Sequence, residues 1–173
     1  MKRVFLSLLF FGLIISILGC QKGETNMGEA EKNEIVESAK LTVQKVFECS
    51  NDLKFINGLD YYSEDSDSYY TNNGQIFSLR ELRKSYSQIG SLVEILENSI
   101  DSWNSTVLSK NTVAFSLPIH LRIKLKGIAE YNGQLVWSGI VQKRNGRWLI
   151  IQSHESWLNC VAVTAALSQS GNK

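Results

Sequence analysis

From Val113 to about Lys126, apolar and polar residues alternate almost without a break. Val113, Phe115, Leu117, Ile119, Leu121, Ile123 and Leu125 share one face, and Ala114, Ser116, Pro118, His120, Arg122, Lys124 and Lys126 share the other. A period of two over that length predicts a strand in an antiparallel sheet with one face buried. Two Asn-Gly pairs follow, Asn132-Gly133 and Asn145-Gly146. Asn-Gly between alternating segments is a strong hairpin signal, so three long strands are predicted between Val113 and Trp157. If the two turns are alike, Leu149, Ile151, Ser153, Glu155 and Trp157 join the face of Leu121, Ile123 and Leu125. Trp148, Ile150, Gln152 and His154 then join His120, Arg122 and Lys124 outside. Only the middle strand depends on turn type. Three-residue turns with a glycine bulge put Leu135, Trp137, Gly139 and Val141 inside, which makes the better core. Unequal turns, or a bulge at Gly127, would overturn this assignment.

The chain before these strands supplies the cover for their apolar face. Ile35, Val36, Ala39, Val43, Val46 and Phe47 recur at spacings of three and four, which predicts an amphipathic helix from Glu29 to about Ser50. Glu31, Glu34 and Glu37 suit the positive end of its dipole. A short helix over about Asn51–Asn57 is expected to stop at Gly58. Leu59 to Tyr70 is an acidic loop bracketed by tyrosine pairs. Asp65 and Asp67 alternate as calcium ligands do, but no glycine stands sixth and no glutamate twelfth, so a solvated loop with tyrosines folded inward fits better. Asn73-Gly74 predicts a small hairpin between Tyr69–Thr71 and Gln75–Phe77. Ser78-Leu79-Arg80-Glu81 is a capping box opening a helix to about Ile89, with Leu79, Leu82, Tyr86 and Ile89 on one stripe and Gly90 at its end. Leu92 to Trp103 reads as a weak strand leading through Ser105–Leu108 to a turn at Ser109-Lys110-Asn111. Helices segregated from a meandering antiparallel sheet make an α+β domain.

Composition changes this picture little. Apolar residues are 43% of the chain, charged residues 20%, and the formal net charge is +1. These values suit one globular domain. No basic block marks a nucleic-acid partner. Two histidines and no Cys-x-x-Cys leave no metal-ligand spacing, and no motif calls for a cofactor.

The first twenty residues change it more. Lys2 and Arg3 precede an apolar run, Val4 to Leu18, too short for a comfortable membrane span. It ends in Ile17-Leu18-Gly19-Cys20, which resembles a bacterial lipobox, with Leu18 bulkier than usual at its position. The resemblance implies removal of residues 1–19 as a signal peptide and acylation of Cys20, a stable membrane anchor. Residues 20–28 then form a flexible polar tether, residues 29–160 the domain, and residues 161–173 a tail. The expected location is the cell envelope. Gln21, rather than Asp, after the cysteine resembles the outer-membrane sorting pattern of two-membrane bacteria, with the domain facing the periplasm. Cys49 and Cys160 remain, as a disulfide or as two buried thiols.

From about Glu29 to Trp157 the chain resembles the nuclear transport factor 2-like superfamily, in particular its SnoaL-like branch. The likeness lies in Leu59-Asp60-Tyr61-Tyr62-Ser63-Glu64-Asp65, in the Asn73-Gly74 hairpin leading into Ser78-Leu79-Arg80-Glu81-Leu82, and most specifically in Lys143 through Trp157. It implies a cone-shaped α+β fold, a bent antiparallel sheet wrapped around a long N-terminal helix, with a pocket at the wide end. It also implies a dimer through the outer sheet face, to which Trp148 and Ile150 would contribute. The superfamily holds isomerases, cyclases, hydrolases and non-catalytic modules, so fold leaves function open.

Glu155, on the inner face near the mouth, is the candidate ligand-facing carboxylate, and as a general base it would serve an isomerase, cyclase or hydratase. The bland alternative is a solvated or arginine-paired strand-end glutamate. Tyr62, Tyr70, Trp137, Ser153 and Trp157 are the candidate walls and polar tips of the pocket, with Tyr62 or Tyr70 as hydrogen-bond donor to a small apolar or aromatic ligand. His154, on the outer face, reads as structural or interfacial. No nucleophile elbow or phosphate loop is present. The favoured reading is a small-molecule-binding or interaction module. An enzyme based on Glu155 and a non-catalytic dimeric subunit are the alternatives.

Overall fold

A computed structural model describes residues 27–72, 74–127 and 129–158. Cys20, Cys160, most of the tether and the C-terminal tail lie outside the described residues. The elements are helix α1 (Glu29–Asn51), the one-turn helix α2 (Phe55–Gly58), a 3-10 turn (Leu59–Tyr61), strands β1 (Tyr69–Asn72) and β2 (Gln75–Phe77), helix α3 (Leu79–Gly90), and strands β3 (Val93–Ile100), β4 (Asn104–Ser109), β5 (Thr112–Leu125), β6 (Tyr131–Arg144) and β7 (Arg147–Trp157). The sheet order is β2-β1-β7-β6-β5-β3, with β4 also on β5. The fold class is α+β as predicted, but the sheet is mixed. The chain leaves the helices beside the start of β7, where Ser63 donates its N–H to the Ile150 carbonyl, and β1 then runs parallel to β7.

The stripe on α1 lies in the concavity of the sheet. Ala39 and Val43 are fully buried, and Phe47 meets Trp137 edge-on with centroids 5.9 Å apart. Each buried aliphatic side chain stabilises by roughly 1.5–3 kcal/mol. The end of α1 also shields the edge of β3. The Asn51 amide accepts from the Asn98 N–H at 2.7 Å and donates to the Asn98 carbonyl at 3.2 Å, standing in for a neighbouring strand. Pro118 sits where the β5 edge is handed from β4 to β3. Its carbonyl accepts from Asp101, and its missing N–H falls in the gap between the two partners. The capping box of α3 is present as predicted. Gly58 is not a left-handed helix stop; its backbone is right-handed, and it gives close passage beside Cys49 and Val46.

Three strand expectations are corrected. Asn132-Gly133 is not a turn. Both residues lie inside β6, opposite Arg122 and Leu121, and the chain reverses around Gly127, whose φ is +74°. Gly133 is there for room: a Cβ would come within 2.1 Å of the Tyr131 hydroxyl, because that ring lies across it, as Trp137 lies across Gly139. Asn145-Gly146 is a turn, but a two-residue one with both φ angles positive, closing Arg144 against Arg147. The third correction concerns β7. Val141 pairs with Ile150 while Ile140 pairs with Gln152, so Ile151 is an extra residue in the strand. Before it, Ile150 is fully buried and Trp148 packs on the core, where the sequence put both outside. After it, Ser153, Glu155 and Trp157 face inward and His154 outward, as expected. Leu135, Trp137, Gly139 and Val141 line the inner face of β6 as expected, although neither turn has the form assumed.

The outer face divides in two. Toward one end, acid–base rows cross the sheet: Asp101 with His120 and Gln134, Glu97 with Arg122 and Glu130, and Glu94 with Lys124. Toward the other, the outward rows Pro118–Val136–Ser156, Ser116–Ser138–His154 and Ala114–Ile140–Gln152 hold no Asp, Glu, Lys or Arg.

Candidate functional site

Parallel pairing of β1 with β7 sets Tyr70 beside Ser153 and Asn72 beside Glu155. Tyr62 arrives from the loop after the 3-10 turn and bridges to Ile150. Leu82 and Tyr86 come from the inner stripe of α3, and Phe77 from β2. Together with Thr71 these residues line a cleft of about 10 Å³, room for about one water.

Glu155 is its centre. Its carboxylate accepts from the Asn72 amide at 3.0 Å. Glu155 keeps some solvent contact at its edge, yet burial dominates and pushes the carboxyl up to about 6. The Trp157 indole beside it opposes the shift slightly, without the alignment of a hydrogen bond. Burial, and after it the Glu155 charge, raise the Tyr62 and Tyr86 phenols well above their ordinary value. Both therefore stay protonated at neutral pH and lie close to the carboxylate in the same cleft. The Tyr62 hydroxyl lies near Ser153 and Trp137. A carboxyl titrating near 6 with two phenols beside it can hold or move a proton.

The other sequence candidates have different places. Tyr70 gives the cleft its ring, packed edge-on against Tyr62 at 4.9 Å. Its hydroxyl, pushed up to about 12 by burial, donates to the Ser63 carbonyl at 2.6 Å and so braces the loop. Trp137 is 1% exposed and belongs to the core rather than to the cleft lining, beside its pairing partner Glu155. Trp157 lies one step further along β7, against Tyr131. Asn72 and Tyr86 were not singled out in the sequence. Asn72 could not be, because only the parallel pairing brings it to Glu155. Tyr86 carried a signal, a phenol on the apolar stripe of a helix.

A second, open groove of about 210 Å³ lies between the loop of residues 63–68 and the start of α3. The loop's acids are engaged rather than free: Arg144 binds both Asp65 and Asp67 and holds their carboxyls below the usual range. Among the described residues, no group of three or more His, Cys, Asp or Glu is placed to hold a metal ion.

No family model matches this sequence, and no curated protein matches it. Solved structures do match in shape. An NTF-2-like protein of unknown function from Shewanella oneidensis is 17% identical, with a TM-score of 0.56 over 70% of this chain and 98% of that one. A nuclear transport factor 2-like superfamily protein from Salmonella enterica is 10% identical, with a TM-score of 0.65 over 73% and 92%. The hexachlorocyclohexane dehydrochlorinase LinA-type3 from Novosphingobium barchaimii is 8% identical, with a TM-score of 0.65 over 76% and 91%. The helices in the concavity, the strand order and these likenesses agree that the chain has the nuclear transport factor 2-like fold.

Proposed function

We propose that this chain is a lipoprotein anchored through Cys20, and that its domain is a small-molecule-binding or interaction module of the cell envelope. The observation that supports binding is the Glu155 carboxyl, desolvated, held by one amide and faced by two phenols. Anything larger than a water gains access only if α3 and the β1–β2 hairpin move away from β7. Native mass spectrometry of the detergent-solubilised mature protein tests the module: a retained small molecule, lost in Glu155→Gln, supports it, and an unchanged ligand in that variant removes the carboxyl from the site. Cys20→Ser tests the anchor. The variant should leave the membrane fraction and lose its acyl mass, and persistence of both would refute lipidation.

The second reading is an isomerase, cyclase or dehydratase-type enzyme with Glu155 as general base and Tyr62 or Tyr86 as donor. A carboxyl near 6 favours it, because such a group is a competent base at neutral pH. Its signature would be a rate that rises with pH through about 6 and is abolished by Glu155→Gln.

A homodimer through the outer face fits the uncharged half of that face, not the ion-paired half. Trp148 is no probe of it, since that ring packs inward. Ile140→Glu should dissociate the dimer, and a dimer that survives the substitution does not use this patch.

A further inference from the structure

Glu155 is enclosed from two sides. Tyr62, the β1 residues Tyr70 and Asn72, and its own strand make one side; Phe77 of β2 with Leu82 and Tyr86 of α3 makes the other. The first side is well tied. β1 lies on β7 through four parallel pairs, and Tyr70 donates its hydroxyl to the Ser63 carbonyl. The second side is the edge of the sheet. β2 has three residues, pairs only with β1 among the described residues, and leaves Ile76 70% exposed. α3 is tied to the body at its far end, where Lys126 donates its N–H to the Leu92 carbonyl. Along its length it is held by buried Leu79 and Leu82, by Tyr86 edge-on to Phe55 at 6.2 Å, and by Arg83, which pairs with exposed Asp60 at 2.9 Å. An exposed ion pair contributes little, and edge elements with few buried contacts open locally at lower cost than the whole domain.

The charge of Glu155 acts on this seam. The titratable groups nearest it in the cleft are Tyr62 from the loop and Tyr86 from α3, both neutral at neutral pH, while the Tyr70 hydroxyl is turned to Ser63. Among the described residues, no Lys, Arg or His lines the cleft. An ionised carboxylate there has the Asn72 amide, the Trp157 indole beside it and room for about one water. A buried charge without a counter-charge is strongly unfavourable. It is relieved by a proton, with the cleft closed, or by bulk water, with the cleft open. β2 and α3 are the elements whose displacement brings that water in without breaking the pairing of β1 with β7.

We propose that β2 and α3 form a proton-controlled lid over Glu155, closed on the neutral carboxyl and released when it ionises, so that the cleft admits its ligand on the alkaline side of the transition. This rests on the ligand-binding reading above and adds its regulation. Opening returns the carboxyl to water, so the closed form keeps a proton that the open form gives up between the ordinary value of 4.5 and about 6. The open fraction therefore rises with pH through that window and levels off above it, a gain of at most about thirtyfold at tenfold per pH unit.

Amide hydrogen exchange of the full acylated chain in detergent, followed from below that window to above it and corrected for the intrinsic pH dependence of exchange, reads the lid. Amides of α3 should exchange more readily than those of α1 at every pH, the mark of a local opening, and should lose up to about thirtyfold in protection across the window. Glu155→Gln, neutral throughout, should hold α3 at the protection the wild type shows in acid. Arg83→Met should loosen α3 at every pH and leave the size of the step unchanged. Amides of α3 that exchange only together with those of α1 would overturn the lid, since the whole domain would then be unfolding. Protection of α3 that is flat across the window, or a step that survives in Glu155→Gln, would overturn it as well. Native mass spectrometry separates the two readings. A step in α3 without a retained ligand keeps the lid and removes the binding reading; a retained ligand beside a flat α3 does the reverse.

Discussion

On the inner face of β7, Glu155 has a neutral amide for a partner and phenols for walls. At the tip of the β6–β7 hairpin, Asp65 and Asp67 share the guanidinium of Arg144 in the open. The first carboxyl is pushed up to about 6 and the other two are held down. The side-chain chemistry is the same, so the difference lies in the surroundings. Removing water disfavours the charged form, and a nearby cation favours it. The tip acids brace a loop with their charge. The inner acid retains a proton within reach of neutral pH, which is what a ligand site can use.

The largest effect should come from removing the core ring beside the inner acid. Trp137→Ala should lower stability by about 3–5 kcal/mol in denaturant melts; a loss below about 1 kcal/mol would show that the ring is not core. Next is the acid itself. The folded-state pKa of Glu155 is raised, so the native state binds more protons than the unfolded chain between the ordinary value of 4.5 and about 6. Stability should therefore fall as pH rises through that window, by at most about 2 kcal/mol. Glu155→Gln should erase this slope. A slope that persists would locate the titration elsewhere.

Asn72→Ala removes the amide that donates to the Glu155 carboxylate and leaves Trp157 beside it. The carboxyl should titrate higher still, which carbon-detected NMR of the labelled glutamate would follow, and a lower value would mean that water replaces the amide fully. The smallest effect belongs to the tip. The depressed Asp65 and Asp67 contribute stability above their ordinary range, and it is lost as pH falls through their folded values. Arg144→Met should thus cost a little at neutral pH, less in high salt, and nothing in acid. An effect insensitive to salt and pH would assign Arg144 a packing role instead.

Much of the fold was legible because periodicity reports burial directly. The stripe of α1, the capping box at Ser78 and Glu81, and the alternation of β5 each appear where the pattern puts them. The turn at Asn132-Gly133 was misread for a physical reason. A glycine that frees the backbone for a turn and a glycine that leaves room for a neighbouring ring look the same in a sequence, and Tyr131 lies across this one. Asn72 was invisible because a parallel pairing between segments eighty residues apart in the chain leaves no local trace.

The sequence by itself determined that a two-faced strand ends near Trp157 with alternating candidates, His154 on one side and Glu155 on the other. Which of them enters the cleft was decided by tertiary structure. The tight Asn145-Gly146 turn pairs Arg144 with Arg147, and continued without interruption that register would set His154 opposite Trp137. The extra residue at Ile151 shifts the register by one, so Glu155 takes that place. A bulge costs local pairing and is repaid only by the packing it permits, here Ile150 and Trp148 against α1 and the core on one side of it and Ser153 and Glu155 in the cleft on the other. That balance depends on contacts from the whole domain, which no window of sequence contains.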